Sequence, residues 1–156
     1  MICLIAVKTG HIINSEVLKG IALQTIPLSL LVSPSDPVHN EHTRECSINK
    51  SRNELQRVAS NIQDEFVLLL DSDVVMNDPQ TVEKMVNYMD DSFGCVCVQT
   101  KDTIDGHIIA ACALIRTSVY KQLDYSSSPS VCQCSIIAMR CNTVYVPDVK
   151  AYEIDK

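Results

Sequence analysis

Short apolar runs alternate with amphipathic segments along this chain of 156 residues. The apolar runs are rich in Ile, Val, Leu and Cys and stop at turn residues or charges, a pattern typical of strands buried on both faces of a parallel sheet. We predict strands over Ile2–Val7, Leu28–Val32, Phe66–Leu70, Cys95–Gln99, His107–Ile115 and Thr143–Val146.

Between these runs, apolar residues recur at helical spacing. We predict helices from Asn14–Ser15 to about Thr25, over Lys50–Ile62, from Asp78–Pro79 onward, over Thr117–Leu123 and over Val131–Cys141. In the third of these, Asp78 is predicted as the cap and Pro79 as the first helical residue. The order β-α-β-α-β-α-β-β-α-α-β predicts right-handed crossovers and a mainly parallel central sheet. Residues 1–156 therefore form one α/β domain in this prediction, a length that suffices for a real core.

Composition narrows the functional classes. Apolar residues make up 46% of the chain and aromatic residues 4%, so the core must be aliphatic. The net charge is −6 and the Lys and Arg residues are scattered, which argues against nucleic-acid binding. No segment approaches the apolar length of a membrane span, and Met1 leads into a strand-like run without a basic leader, so we expect a cytoplasmic protein.

Eight cysteines are many for a chain of this length. Most lie in apolar surroundings, such as Gly94–Val98 and Ala110–Ala113, where a free cysteine behaves as a small hydrophobic residue. Core packing is the favoured interpretation. A disulfide and a zinc cluster remain as alternatives, although no C-x-x-C motif occurs.

The segment with the clearest chemical content is Phe66–Leu70, which is followed by Asp71 and Asp73. Open α/β sheets bind ligands at the carboxyl ends of their strands, where these two carboxylates are predicted to lie. Mg²⁺ prefers one or two carboxylates together with phosphate oxygens, so the pattern indicates a site for a divalent cation and phosphates. The alternative is that Asp73 only caps or turns the following loop.

Four pieces of the sequence, in order and at the right spacing, resemble family 2 glycosyltransferases with the GT-A fold, an α/β/α sandwich. The pieces are Lys50–Asn53, Phe66–Val74, Ala111–Arg116 and Val144–Asp148. The similarity extends from the first strand to about Tyr152. It implies transfer of a sugar, of the hexosyltransferase type, from a nucleotide diphosphate sugar to an acceptor hydroxyl.

The resemblance also implies roles for individual residues. Asp73 matches the carboxylate that binds Mn²⁺ or Mg²⁺ on the diphosphate, and Asp71 matches one that contacts the ribose or sugar near the metal. Glu153 stands where many members have a His that completes the metal site, and its oxygen ligands suit a hard cation. The residues matched to nucleotide-sugar binding are Asp36, Lys50, Arg52, Asn53 and Asp71.

Two departures from the family pattern bear on activity. Members usually carry an Asp that acts as general base before the last helix, but the stretch Ser126–Gln133 holds no carboxylate. Asp102, Asp105 and Asp124 are the remaining candidates for this base. The sequence also stops eight residues past Asp148, so we expect a small acceptor, a partner subunit or homo-oligomer that supplies acceptor recognition, or a domain without turnover.

The favoured hypothesis is therefore an active, metal-dependent glycosyltransferase. The main alternative is a degenerate GT-A domain that binds a nucleotide sugar or a protein partner without catalysis. A nucleotidyltransferase would need a Gly-rich phosphate loop after the first strand, and Lys8–His11 does not supply one. A receiver domain would need an acidic pair after that strand, and Ala6–Lys8 shows none.

Overall fold

The computed structural model describes residues 3–9, 13–34, 56–57, 61–100, 112–123, 137 and 140–154, with backbone only for 3–9 and 30–34. The strands are β1 (Cys3–Thr9), β2 (Leu28–Pro34), β3 (Phe66–Asp71), β4 (Val74–Val75), β5 (Cys95–Gln99), β6 (Cys112–Arg116), β7 (Thr143–Lys150) and β8 (Tyr152–Glu153). The helices are α1 (Ser15–Ala22), α2 (Thr81–Tyr88) and α3 (Thr117–Tyr120).

Six of the described strands form one sheet in the order β2-β1-β3-β6-β5-β7. The pairs β1–β2, β1–β3 and β5–β7 are parallel, whereas β6 runs antiparallel to both β3 and β5. The carboxyl ends of β1, β2, β3, β5 and β7 consequently lie at one side of the sheet, which we call the carboxyl edge. The α/β class and the mainly parallel sheet are confirmed; the reversed β6 was not predicted.

The central strand β3 is buried on both faces, as its unbroken apolar sequence predicts. Phe66 is 3% exposed, and Val67 to Leu70 have no exposed surface. Each fully buried side chain of this kind contributes about 1.5–3 kcal/mol relative to an exposed one. The strand therefore carries a large share of the core's stability and is held rigidly between two layers.

The alternation of β3 side chains divides the core into two layers. Phe66, Leu68 and Leu70 face α1 and α2, where the buried residues are Val17, Val82 and Met85. On the opposite face, Val67 and Leu69 pack against Tyr120, Leu123 and Ile137. Helical residues thus cover both faces of the sheet, and the architecture is an α/β/α sandwich.

Helix α1 begins where the sequence predicts but ends earlier. The Asn14 side chain caps it by accepting from the backbone N–H of Glu16 at 2.9 Å. The helix stops at Ala22 rather than near Thr25, because Gln24 and Thr25 bond elsewhere. Gln24 donates to the carbonyl oxygens of Gly20 and Asp78, and Thr25 N–H donates to Pro79 O.

The predicted start of helix α2 at Asp78–Pro79 is wrong by two residues, since the helix begins at Thr81. The Asp78 carboxylate accepts from the Gln80 N–H at 2.9 Å and from Lys84 Nζ at 2.5 Å. Its carbonyl accepts from the Thr81 hydroxyl at 2.8 Å. Asp78 therefore closes a turn before the helix.

The last long strand also differs from its prediction. β7 continues from Val146 through Pro147 and Asp148 to Lys150. Proline is tolerated here because β7 is an edge strand of the sheet. Asp148 adopts a positive φ of 62°, next to a register irregularity between β5 and β7. Bulges of this kind redirect the side chains that follow them.

The four cysteines whose side chains the structure describes are free thiols that pack in the core, as expected for small hydrophobic residues. Cys95, Cys97 and Cys112 are buried, and Cys141 is half-buried. Hydrogen bonding from Cys95, and more weakly from Thr143, lowers the pKa of the Cys141 thiol to about 7. Cys141 Sγ also donates to Ile137 O at 3.1 Å, which favours the protonated thiol but is outweighed. Hydrogen bonding to Cys141 and Cys97, together with burial, raises the pKa of the Cys95 thiol, and burial raises the pKa of the Cys112 thiol.

We expect Cys141 to react first among these four thiols when the folded protein is treated briefly with iodoacetamide. It alone combines partial exposure with a lowered pKa, and the thiolate is the nucleophile. Its alkylation rate should rise through pH 7, because the thiolate fraction grows as the pH passes the lowered pKa. Peptide mapping by mass spectrometry measures this, with Cys141→Ser as the control. Earlier labelling of Cys95, Cys97 or Cys112 would contradict the described packing.

Gly20→Ala provides a test of how α1 packs against the segment after β4. Alanine is about 1 kcal/mol better than glycine in a helix. A Cβ at position 20 would, however, lie 2.8 Å from the Met76 carbonyl oxygen, a backbone atom. We expect a net loss of about 1–3 kcal/mol in the free energy of unfolding from this overpacking.

Urea titration measures this loss. The matched control is Ala22→Gly at an exposed position of the same helix. This variant should lose only about 1 kcal/mol in the free energy of unfolding, because glycine has a lower helix propensity than alanine. A Gly20→Ala protein more stable than wild type would contradict the close approach of α1 to Met76.

Candidate functional site

The two carboxylates singled out from the sequence lie at the carboxyl edge. Asp71 is the last residue of β3 and pairs with Lys8 in the register of β1. Asp73 follows in the turn between β3 and β4, and both Asp71 and Asp73 are half-buried. Asp71 and Asp73 therefore lie at the end of the buried strand, at the carboxyl edge, as the sequence predicted.

Helix α1 begins beside this turn. The side chain of Asn14 caps the helix, and its backbone N–H donates to the carbonyl oxygen of Ser72 at 3.5 Å. The positive end of the helix dipole consequently lies close to the segment between the two carboxylates. This field favours negative charge at the turn, on the protein or on a ligand.

The small sheet formed by β4 and β8 brings the backbone of a third acidic residue, Glu153, next to the turn that carries Asp73. Glu153 pairs with Val74, and the N–H of Ile154 donates to the carbonyl oxygen of Asp73 at 2.8 Å. The backbones of Asp73 and Glu153, 80 positions apart in the sequence, are thereby held close together. Glu153 is half-buried, like Asp73.

A divalent cation fits the chemistry of this donor set, because carboxylate oxygens suit Mg²⁺ and Mn²⁺. Within the described ranges, which include Asp71, Asp73 and Glu153, no three His, Cys, Asp or Glu side chains come together in a cage that could hold a metal ion. Mg²⁺ does not need such a cage, since it commonly uses one or two carboxylates and completes its shell with phosphate oxygens and water. The arrangement therefore suits a cation that arrives with a phosphate ligand.

A cleft of about 450 Å³ opens at the same edge of the sheet. Its described lining comes from the ends of β5 and β7, from β8 and from the segment after β4. The lining residues are Asn77, Gln99, Thr100, Lys150, Ala151 and Tyr152. This cleft was not predicted, because it depends on the irregular pairing of β5 with β7, which no local sequence pattern reveals.

Several predicted site residues lie outside the described part of the chain. These are Asp36, Lys50, Arg52 and Asn53, assigned to the nucleotide sugar, and the candidate bases Asp102, Asp105 and Asp124. Their roles stay predictions. As for membrane association, none of the described helices has the length and apolar character that crossing a bilayer requires.

No protein-family model matches this chain, and no curated protein matches it in sequence. Comparison with solved structures does find similar folds. The mannosyltransferase PcManGT from Pyrobaculum calidifontis, in complex with GDP-Man and Mn²⁺, has a TM-score of 0.68 and 15% identity. The match covers 97% of this chain and 56% of that one.

Two further structures show the same likeness. TarS from S. aureus (residues 1–349), in complex with UDP-GlcNAc, has a TM-score of 0.64 and 16% identity over 100% of this chain and 59% of that one. A glycosyltransferase involved in glycosylation of the major capsid of PBCV-1 has a TM-score of 0.62 and 12% identity, with coverage of 99% and 95%. This chain thus spans little more than half the length of PcManGT and of the TarS fragment. At these identities the likeness concerns the fold, and the chain has a GT-A-like, glycosyltransferase-like fold.

Proposed function

We propose that this protein is a metal-dependent glycosyltransferase that moves a sugar from a nucleotide diphosphate sugar to an acceptor hydroxyl. The observation that carries the proposal is the position of Asp71 and Asp73 at the end of the buried central strand, with Glu153 held beside Asp73 by β8. The glycosyltransferase-like fold supports the same reaction class. In open α/β sheets this edge is where ligands bind.

The proposed metal ligands are Asp73, Asp71 and Glu153. Mn²⁺ or Mg²⁺ bound there would neutralise the charge that develops on the diphosphate as the glycosidic bond breaks. The protein's part is to fix the carboxylates: β3 anchors Asp71 and Asp73 through its burial, and the bond from Ile154 N to Asp73 O fixes the turn. Asp71 would in addition contact the ribose or the sugar.

The nucleotide is proposed to lie toward the β1 and β2 side of the carboxyl edge. Asp36 follows two residues after the end of β2 at Pro34, and its carboxylate would bind the base or ribose. Lys50, Arg52 and Asn53 would meet the phosphates or the nucleotide, because cationic side chains make the stronger, charge-assisted hydrogen bonds to phosphate. These assignments rest on the sequence resemblance.

The general base is proposed to come from the segment after β5. Asp102 and Asp105 follow closely on Thr100, which lines the cleft at the carboxyl edge. Asp124 is the weaker candidate, because helix α3 begins at the opposite edge, where Thr117 N–H donates to Glu65 O just before β3. Asp102 is therefore our first choice for deprotonating the acceptor hydroxyl.

A second candidate function is a GT-A-like domain that binds a nucleotide sugar or a partner protein without turnover. The absence of any carboxylate in Ser126–Gln133 favours it. In either case we propose a cytoplasmic location, which the free thiols of Cys95, Cys97, Cys112 and Cys141 suit. A partner subunit or a second copy of the chain would then complete acceptor recognition.

The metal assignment is tested by isothermal titration of a panel of UDP- and GDP-sugars. We expect the wild-type protein to bind a nucleotide sugar only when Mn²⁺ or Mg²⁺ is present. Asp73→Ala should abolish this binding, because it removes the carboxylate proposed to bind the cation that holds the diphosphate. The matched control is Asp91→Ala, a fully exposed carboxylate away from the site, which should bind normally. Equal, metal-independent binding by wild type and Asp73→Ala would refute the assignment.

Turnover is tested separately by following hydrolysis of the nucleotide sugar that binds. An active transferase should release the nucleoside diphosphate slowly with water as acceptor, and Asp102→Asn should reduce the rate by about 100-fold or more if Asp102 is the base. Binding should remain unchanged in that variant. Tight binding without any hydrolysis by wild type would favour the non-catalytic alternative.

A further inference from the structure

The cleft at the carboxyl edge owes its shape to the irregular end of β7. Cys97 pairs with Tyr145, but Gln99 pairs with Lys150, so β7 advances five residues while β5 advances two. The extra residues include Pro147 and Asp148, whose φ is 62°. Beyond this bulge the Ala151 N–H donates to Gln99 O at 3.1 Å, which ties Lys150 and Tyr152 to the end of β5.

The described lining of the cleft is rich in hydrogen-bond donors and contains no carboxylate. It offers the amides of Asn77 and Gln99 and the ammonium of Lys150. Among the described side chains, Lys150 has no ion-pair partner. The Tyr152 ring, 38% exposed, supplies an aromatic surface of the kind that contacts the apolar face of a ring. This set matches a hydroxyl-bearing molecule that also carries an anionic group.

The cleft is placed to present such a molecule to the proposed metal site. Asn77 follows four residues after Asp73, and Tyr152 directly precedes Glu153. The strand β6 separates β3 from β5, so the cleft lies about 10 Å from the end of β3, on the side away from β1 and β2. The nucleotide is proposed to bind on the β1–β2 side, which leaves this cleft for the second substrate.

We propose that the cleft lined by Lys150 and Tyr152 is an acceptor subsite for a hydroxyl-bearing acceptor that carries a phosphate or a carboxylate. The inference rests on the proposed function. Lys150 pairs with the anionic group, and Tyr152 contacts the acceptor's ring or carbon chain. In the transfer, the acceptor oxygen bonds to the anomeric carbon while the bond from that carbon to the diphosphate oxygen breaks. The hydroxyl proton goes to the base, and the diphosphate leaves with the bonding electron pair.

The test uses the protein saturated with UDP and Mn²⁺ and three defined probes. Glycerol 3-phosphate and glucuronate carry the two anionic groups, and methyl glucoside is the neutral reference. Binding is measured by NMR titration of each probe. We expect one or both anionic probes to bind and methyl glucoside to bind at least tenfold more weakly, since a charge-assisted bond to Lys150 is missing. The stronger of the two anionic probes identifies the group.

Variants at position 150 assign the effect to the ammonium. Lys150→Met should weaken binding of the anionic probe about tenfold, the loss of affinity expected for one hydrogen bond to a charged group. Lys150→Arg should retain binding because it keeps the charge. The matched control is Lys121→Met, an exposed lysine after α3 on the opposite layer, which should leave probe binding unchanged. Binding of UDP with Mn²⁺ should be equal in all four proteins.

Three results would overturn the inference and leave the proposed function intact. Equal binding of neutral and anionic probes would remove the role of charge. If Lys150→Met lowered the affinity for UDP as much as the affinity for the anionic probe, Lys150 would bind the donor diphosphate instead. Failure of every probe on a protein that binds UDP and Mn²⁺ would refute the acceptor subsite alone. If the wild-type protein bound neither UDP nor GDP in the presence of Mn²⁺, the proposed function would be refuted, and the acceptor role with it.

Discussion

The burial of β3 on both faces is the constraint on which the site depends. A strand with residues from Val67 to Leu70 fully enclosed cannot shift its register without exposing one layer of the core to water and forcing side chains into the other. The position of Asp71 and Asp73 is therefore determined by the packing of the core, which lies away from any bound ligand. Two carboxylates close together repel each other, and the core supplies the free energy that holds them at the edge.

A second, smaller set of backbone contacts turns this pair into a wider site. β8 pairs with β4, and Ala151 bonds to Gln99, so one short segment connects the end of β5 with the turn that carries Asp73. The strained backbone at Asp148 is consistent with this role, because a positive φ outside glycine persists only where surrounding contacts enforce it. The cleft and the carboxylates are thereby parts of one structural unit.

Features determined by local sequence could be predicted, and those determined by distant contacts could not. The apolar run Phe66–Leu70 and the Asn14 cap are local signals, and both were predicted correctly. The start of α2 was misplaced because the Asp78 carboxylate closes a turn before the helix. Gln24, 54 residues before Asp78, also bonds to this turn through its side chain, a contact that no local pattern predicts. The resemblance matched Glu153 to a metal-ligand position, but its pairing with Val74 was not predicted. The cleft depends on a bulge that no local pattern reveals. Roles assigned to Asp36, Lys50, Arg52 and Asn53 rest on resemblance alone.

The central claim is that the carboxylates at the end of β3 hold a cation that in turn holds a diphosphate. Anomalous diffraction from a crystal grown with UDP and Mn²⁺ tests it most directly. We expect a manganese peak within about 2.3 Å of an Asp73 carboxylate oxygen and in contact with the diphosphate, at the distances usual for hard cations and oxygen ligands. UDP bound elsewhere, or bound at this edge with no manganese between Asp73 and its phosphates, would contradict it.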